Sequence, residues 1–156
     1  MKTSLLLISL ILFLFAGCTK KEAPAMAVSA SPEEVVRSFV RLSGEAKEVV
    51  DKNKLSGLCS GEMKAAFEDM NDEQFRLFYL NGNLNIQELK VLSTNINNDQ
   101  AIVVYQVVVE NRQGTDVTKE TNEREVVLNQ GAGGWLIDSV RPKGTDKLIF
   151  SKGMVF

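Results

Sequence analysis

Ala101-Ile102-Val103-Val104-Tyr105-Gln106-Val107-Val108-Val109 is β-branched almost throughout. Such residues fit a pleated, packed surface, and a run apolar on both alternations predicts a central strand buried on its two faces. On its N-terminal side, Asn97-Asn98-Asp99 reads as a turn, because Asn and Asp tolerate the left-handed conformation. On its C-terminal side, Asn111 to Thr115, with Gly114, reads as a hairpin loop. Working outward, Ile86 to Ile96 is a moderately apolar strand. Val117 to Leu128 is long and polar (Lys119, Glu120, Glu123, Arg124, Glu125), turns apolar at Val126-Val127-Leu128, and predicts a solvated face. Gly131 to Gly134 is a glycine-rich loop, and Trp135 to Val140 is a further strand ended by Pro142. The glycine loop lies between strands and opens no helix, so it is a hairpin turn and not a phosphate cradle. Asn95, Asn97, Asn98 and Asp99 lack the Gly and Glu that would follow in a calcium loop.

Before this region the apolar period is helical. Ser31-Pro32-Glu33-Glu34 combines a capping Ser, a Pro suited to the first helical position, and a Glu that closes an S-x-x-E capping box. Val35, Val36, Phe39, Val40, Ala46, Val49 and Val50 then recur at helical spacing, opposite Arg37, Arg41, Glu45, Lys47 and Glu48. This predicts one long amphipathic helix ending near Asn53, before Ser56-Gly57. Ser60 is placed to cap a second, short helix with Glu62 in its first turn and Met63, Ala66, Phe67 and Met70 on its apolar face. Asn71, with Gln74 three residues on, caps a third, or the C-terminal part of one bent helix. Its packing residues are Phe75, Leu77, Phe78 and Tyr79, and Asn81-Gly82 is the stop.

Helices first and antiparallel strands after make an α+β fold, with N-terminal helices packed on one face of a curved antiparallel sheet of about four strands. Residues 31–156 suit a single domain with one core. Leu148-Ile149-Phe150 and Met154-Val155-Phe156 are expected to pack on that core; a contact patch for a partner or membrane is the alternative.

Composition removes several functions. Lys+Arg 18 against Asp+Glu 20 leaves no basic footprint for nucleic acid. The chain has no His, the commonest general base and metal ligand, and no cofactor or metal motif. It has two cysteines, Cys18 and Cys59.

Residues 1–17 read as an export signal. Met1-Lys2 is a short basic start, and Leu5 to Phe15 is an apolar run too short to span a bilayer, which needs about 20 residues. Leu12-Phe13-Leu14-Phe15-Ala16-Gly17-Cys18 ends that run with two small residues and a cysteine, and resembles the lipobox of a bacterial lipoprotein signal peptide. Phe15 stands where Leu is commonest in that motif. The resemblance implies cleavage before Cys18 and a diacylglycerol thioether on its sulfur, with two or three acyl chains holding the protein to a membrane. It would lie on the outer side of the cytoplasmic membrane. In a Gram-negative host, Thr19 in place of Asp after the cysteine would favour the outer membrane, facing the periplasm. Cleavage removes Lys2 and no acid, leaving 17 basic against 20 acidic residues and a formal charge of −3. Residues 18–30, rich in Ala, Lys and Ser, read as a flexible tether. With Cys18 lipidated, Cys59 has no intramolecular disulfide partner and is expected to be a small buried side chain; an intermolecular bridge or a nucleophile is the alternative.

The order helix, helix, meander, with Gly134, Trp135, Ile137 and Asp138 on a late strand, resembles the nuclear transport factor 2-like (cystatin-like) cone fold. The opening Ser31-Pro32-Glu33-Glu34-Val35-Val36-Arg37-Ser38-Phe39 resembles the first helix of small lipoproteins carrying such a domain. The resemblance covers Ser31 to about Arg141. It implies a non-catalytic binding or interaction domain in the cell envelope, taking an apolar ligand or a protein partner. Phe39, Phe75, Tyr79, Tyr105 and Trp135 are the candidate pocket lining. It also implies that the outer face of the sheet can make a homodimer or meet an envelope protein. A structural envelope protein with a filled core is the second reading. A third is an isomerase- or dehydratase-like enzyme working without His, for which Asp138 and Tyr79 or Tyr105 would have to meet inside the cone.

Overall fold

The computed structural model describes residues 30–80, 82–147 and 156. The export signal, Cys18, the tether up to residue 29, Asn81 and residues 148–155 lie outside the described residues.

The capping box starts helix α1, Pro32–Glu45: Ser31 Oγ accepts from the Glu34 N–H, and Glu34 Oε2 accepts from the Ser31 N–H at 2.7 Å. The Ser31 N–H, and then the Ser31 side chain, lower the Glu34 carboxyl from its ordinary value. Val35, Val36, Phe39, Val40 and Ser43 form the buried stripe. The single long helix expected to reach Asn53 is in fact two. α1 stops at Glu45, where Ala46 turns to ψ 125°, and α2 runs Asp51–Ser56. Ser43-Gly44 weakens the last turn, and Ile86 packs so near Gly44 that a Cβ there would lie 2.8 Å from its Cδ1. Beyond the break, Asp51 Oδ2 accepts from the N–H groups of Lys47 and Glu48, at 3.0 and 3.1 Å. The backbone donors freed at the break thus find a side-chain partner. Val50, expected on the buried stripe, is exposed in consequence.

α3 (Gly61–Asp69) and α4 (Asp72–Tyr79) are separate helices, not one bent one. Met70 is extended between them, and Asn71 and Gln74 form the second capping box, with both bonds at 2.9 Å. Met63, Phe67, Met70, Phe75 and Tyr79 are buried. Leu77 and Phe78, expected to pack, are 70% and 40% exposed. Phe75 and Tyr79 lie four residues apart on the inward face, which leaves the two between them turned away.

The sheet is an antiparallel meander in the order β1-β2-β3-β4: β1 Leu84–Asn97, β2 Gln100–Gln113, β3 Asp116–Gly131, β4 Gly134–Pro142. Asn98 takes the left-handed conformation in the first turn, at φ 54°, and Gly114 in the second, at φ 64°. Register shifts after Ile86, Val91 and Val127 bend the strands. β2 is interior, but only one of its faces is fully covered. Ala101, Val103, Tyr105, Val107 and Val109 are buried, whereas Ile102, Val104, Gln106 and Val108 are half-buried. The buried alternates join the apolar stripes of α1, α3 and α4 in one core, so the helices cover a single face.

The outer edge of β4 is extended by a segment that the sequence pattern did not mark. Cys59 bridges to Ile137 in parallel, the Ile137 N–H donates to Leu58 O, and the Ser60 N–H donates to Ile137 O at 2.7 Å. Ser60 is therefore held by β4 and does not cap α3 as expected. Its Oγ is buried with no hydrogen-bond partner among the described residues.

Candidate functional site

Four of the five candidate lining residues are brought together, with Phe67, as one aromatic cluster in the core. Tyr79 lies flat on Phe75, with ring centroids 5.1 Å apart and planes 7° from parallel. Phe67 leans on Tyr79 at 5.3 Å and meets Phe39 edge-on at 6.4 Å. Tyr105 enters the same core from β2. Phe39, Phe75, Tyr79 and Tyr105 are at most 1% exposed. Trp135 is half-buried and packs on the cluster's margin, beside the Gly131–Gly134 turn. The rings face one another at contact distances that favour stacked and edge-on pairs, and they fill the space between helices and sheet.

The polar groups inside this cluster are held neutral. Burial pushes the Cys59 thiol up to about 12. Cys59 Sγ donates to Leu55 O at 3.2 Å, so it behaves as a small core side chain and not as a thiolate nucleophile. Burial also raises the hydroxyls of Tyr79 and Tyr105 well above the usual phenol range, with Cys59 and Tyr105 adding to the effect at Tyr79. The Tyr79 hydroxyl has no hydrogen-bond partner among the described residues. Asp138, the carboxylate that an enzyme of this shape would need beside a tyrosine, stands instead against Gly61 at the start of α3.

The sequence reading missed Arg124. It lies opposite Tyr105 in the β2–β3 register and in phase with the buried Val126 and Leu128, so its side chain belongs to the inner face. Its Nη2 donates to the main-chain oxygen of Phe156 at 2.6 Å, and Phe156 is itself buried. Desolvation lowers the guanidinium from its ordinary value, opposed by Tyr105. The alternation Arg124, Val126, Leu128 carried this signal, but the surrounding charges masked it.

The clefts at the surface belong to other residues. One of about 320 Å³ lies between α1 and β1, lined by Val40, Arg41, Gly44, Glu45, Ile86 and Leu89. Another of about 440 Å³ adjoins it at Gly44 and continues to Lys47, Asn83 and Arg112. Arg112 is paired with the buried Glu110 at 2.6 Å. Among the described residues no group of His, Cys, Asp and Glu is arranged to hold a metal ion, and no helix is long and apolar enough to cross a membrane.

No family model matches this chain. No curated protein matches it in sequence. Solved structures do. A SEC-C motif-containing protein from Rhodopseudomonas palustris superposes with a TM-score of 0.53 at 12% identity, over 72% of this chain and 78% of its own. The intermembrane space region of the chloroplast protein ARC6 gives 0.51 at 14% identity, over 70% and 92%. An NTF2-like protein with a cystatin-like fold from Novosphingobium aromaticivorans gives 0.47 at 13% identity, over 73% and 84%. At these identities the likeness is one of fold. The chain is a small α+β domain, with helices over one face of a four-stranded antiparallel meander.

Proposed function

We propose that this protein is a lipid-anchored component of the bacterial cell envelope whose body is a non-catalytic interaction domain. The membrane attachment rests on the lipobox-like stretch ending at Cys18. The observation that carries the interaction reading is the contrast between the two faces of the sheet. The inner face is filled by packed rings whose hydroxyl and thiol groups are held neutral. The outer face presents Ile102, Val104, Gln106 and Val108 of β2 half-exposed, with Val127 of β3 opposite Ile102. A largely aliphatic ribbon, interrupted by Gln106 and bordered by Glu88, Lys90, Glu123 and Glu125, suits an apolar centre with a polar rim. The partner that fits it first is a second copy of this chain, because the same ribbon on both sides is self-complementary about a two-fold axis; an envelope protein of similar face is the other.

Mass spectrometry of the protein from its own membranes tests both parts. A denatured mass beginning at Cys18 plus diacylglycerol supports the anchor, and an unmodified start elsewhere overturns it. A native mass of two chains that reverts to one in Val104→Glu/Val108→Glu supports the ribbon as a homodimer face. A wild-type native mass of one chain with nothing added overturns it. A second reading, a structural envelope protein, is favoured by the same packed interior and would show neither dimer nor bound protein.

A further inference from the structure

We propose that the two clefts meeting at Gly44 form one trough that binds the anion of a short aliphatic acid, with its chain against Val40, Ile86 and Leu89 and its carboxylate at Lys47 and Arg112. The trough lies between α1 and β1 and rests on neither the membrane anchor nor the outer-face reading.

The trough is open space that needs no part of the fold to move. Its two parts measure about 320 and 440 Å³ and share Gly44 and Asn85. Each falls within the range of small-molecule sites, about 300–1,000 Å³. Where they join, α1 lies so close to β1 that a Cβ on Gly44 would stand 2.8 Å from Ile86 Cδ1. That contact closes the floor, and the missing side chain at residue 44 leaves the junction above it clear.

The chemistry of the lining is graded along its length. In the first part the floor is apolar, made by Val40, Ile86 and Leu89, and the charges on its rim, Arg41 and Glu45, are of opposite sign and offset each other. The second part carries Lys47 and Arg112, and no acidic side chain lines it among the described residues. This occurs in a chain whose acids outnumber its bases, Asp+Glu 20 against Lys+Arg 18. Asp51 fixes the Lys47 backbone by accepting its N–H at 3.0 Å, while the Lys47 ammonium makes no ion pair among the described residues. Glu110 accepts from Arg112 Nε at 2.6 Å, which orients the guanidinium and leaves its two terminal nitrogens without a partner among the described residues. Donors of this kind bind a carboxylate through charge-assisted bonds, about twice as strong as neutral ones. An apolar floor leading to two cations matches an aliphatic chain that ends in a carboxylate, and it matches neither a cation nor an uncharged chain as well.

The probe is octanoate, with 1-octanol as the uncharged control. Each is titrated into the protein carrying Cys18→Ser, which takes no acyl chain of its own, with backbone amides followed by NMR. The expected result is saturable shifts at the Gly44 and Ile86 amides with a Kd on the order of 1 mM for octanoate, and weaker binding of 1-octanol. Lys47→Glu changes an exposed side chain. It should weaken octanoate about fivefold or more and leave 1-octanol unchanged. No saturable shift at Gly44 and Ile86 overturns the proposal. So does equal affinity for the two probes, or an octanoate affinity that Lys47→Glu does not move. Saturable shifts confined to Val104 and Val108 would put the chain on the outer ribbon and overturn the trough as well.

Discussion

The carboxylate of Asp138 stands where a Cβ on Gly61 would be, and Gly61 has φ +46°. This one relationship joins β4 to the start of α3. The sequence places Ser60 at the cap, but Ser60 is drawn into pairing with Ile137. The chain must then turn sharply into the helix at residue 61, and glycine reaches that conformation without steric cost.

Gly61→Ala should destabilise the fold by about 1–2 kcal/mol through the left-handed backbone alone. The collision with Asp138 involves the far end of a side chain that can turn away. Asp138→Ala in the Gly61→Ala background should therefore restore only a small part of the loss. Urea unfolding checks this: the midpoint falls at an unchanged slope. A neutral Gly61→Ala would show that the turn tolerates any residue.

Tyr79→Phe should leave stability unchanged or raise it by about 1–3 kcal/mol, since the hydroxyl is buried without a partner and its removal relieves a desolvated group. The stack on Phe75 is unaffected by that change. Phe75→Ala, by contrast, empties a fully buried ring site and should cost about 3–5 kcal/mol. Urea midpoints of the two variants should move in opposite directions or differ by that margin. A clear loss in Tyr79→Phe would mean that the hydroxyl is bonded in solution.

What could be read from the sequence was local. Both capping boxes, Ser31 with Glu34 and Asn71 with Gln74, depend on residues three apart and form as read. The strand order follows from Asn97-Asn98-Asp99 and Gly114, whose turn chemistry acts within a few residues. The misreadings depend on partners far along the chain. α1 carries Gly44 in its last turn, where Ile86, 42 positions later, leaves no room for a side chain. Ser60 loses its capping role to Ile137. Arg124 points inward among charges that look solvated, because strand phase outranks local polarity. Whether an aromatic cluster lines a space or fills it is a matter of tertiary distances, which periodicity does not contain.

Asp51 should shape the acid limb of stability. The hydrogen bond from Lys54, then those from the Lys47 and Glu48 N–H groups, lower its carboxyl from 3.8 to about 2. The folded state thus favours the ionised form, so the contribution is present above pH 4 and is lost as pH falls towards 2. Asp51→Asn should remove that part of the pH dependence and lower Tm at neutral pH, because the amide still accepts hydrogen bonds but loses the charge facing Lys54. Thermal melts of both proteins between pH 2 and 7 check this. Parallel curves across that window would show that Asp51 does not couple to folding.

Cys59 should shape the alkaline limb, with the opposite sign. Burial raises its thiol from 9.0 to about 12, so the unfolded chain ionises first. Below pH 9 both states are protonated and the group adds no pH dependence. Between 9 and 12 the folded state holds a proton that the unfolded state has released, and stability falls by up to about 1.4 kcal/mol per pH unit from this group. Tyr79 and Tyr105, raised in the same direction, add to the fall above pH 10. Cys59→Ala should be destabilised at pH 7 by the loss of a packed sulfur, yet its curve should be flatter between pH 9 and 10, before the tyrosines act. The same burial makes the native thiol unreactive towards a disulfide reagent at pH 8, while the unfolded chain reacts at once, because the thiolate is the attacking species. Modification at equal rates in buffer and in urea would place Cys59 at the surface and remove the basis for this alkaline limb.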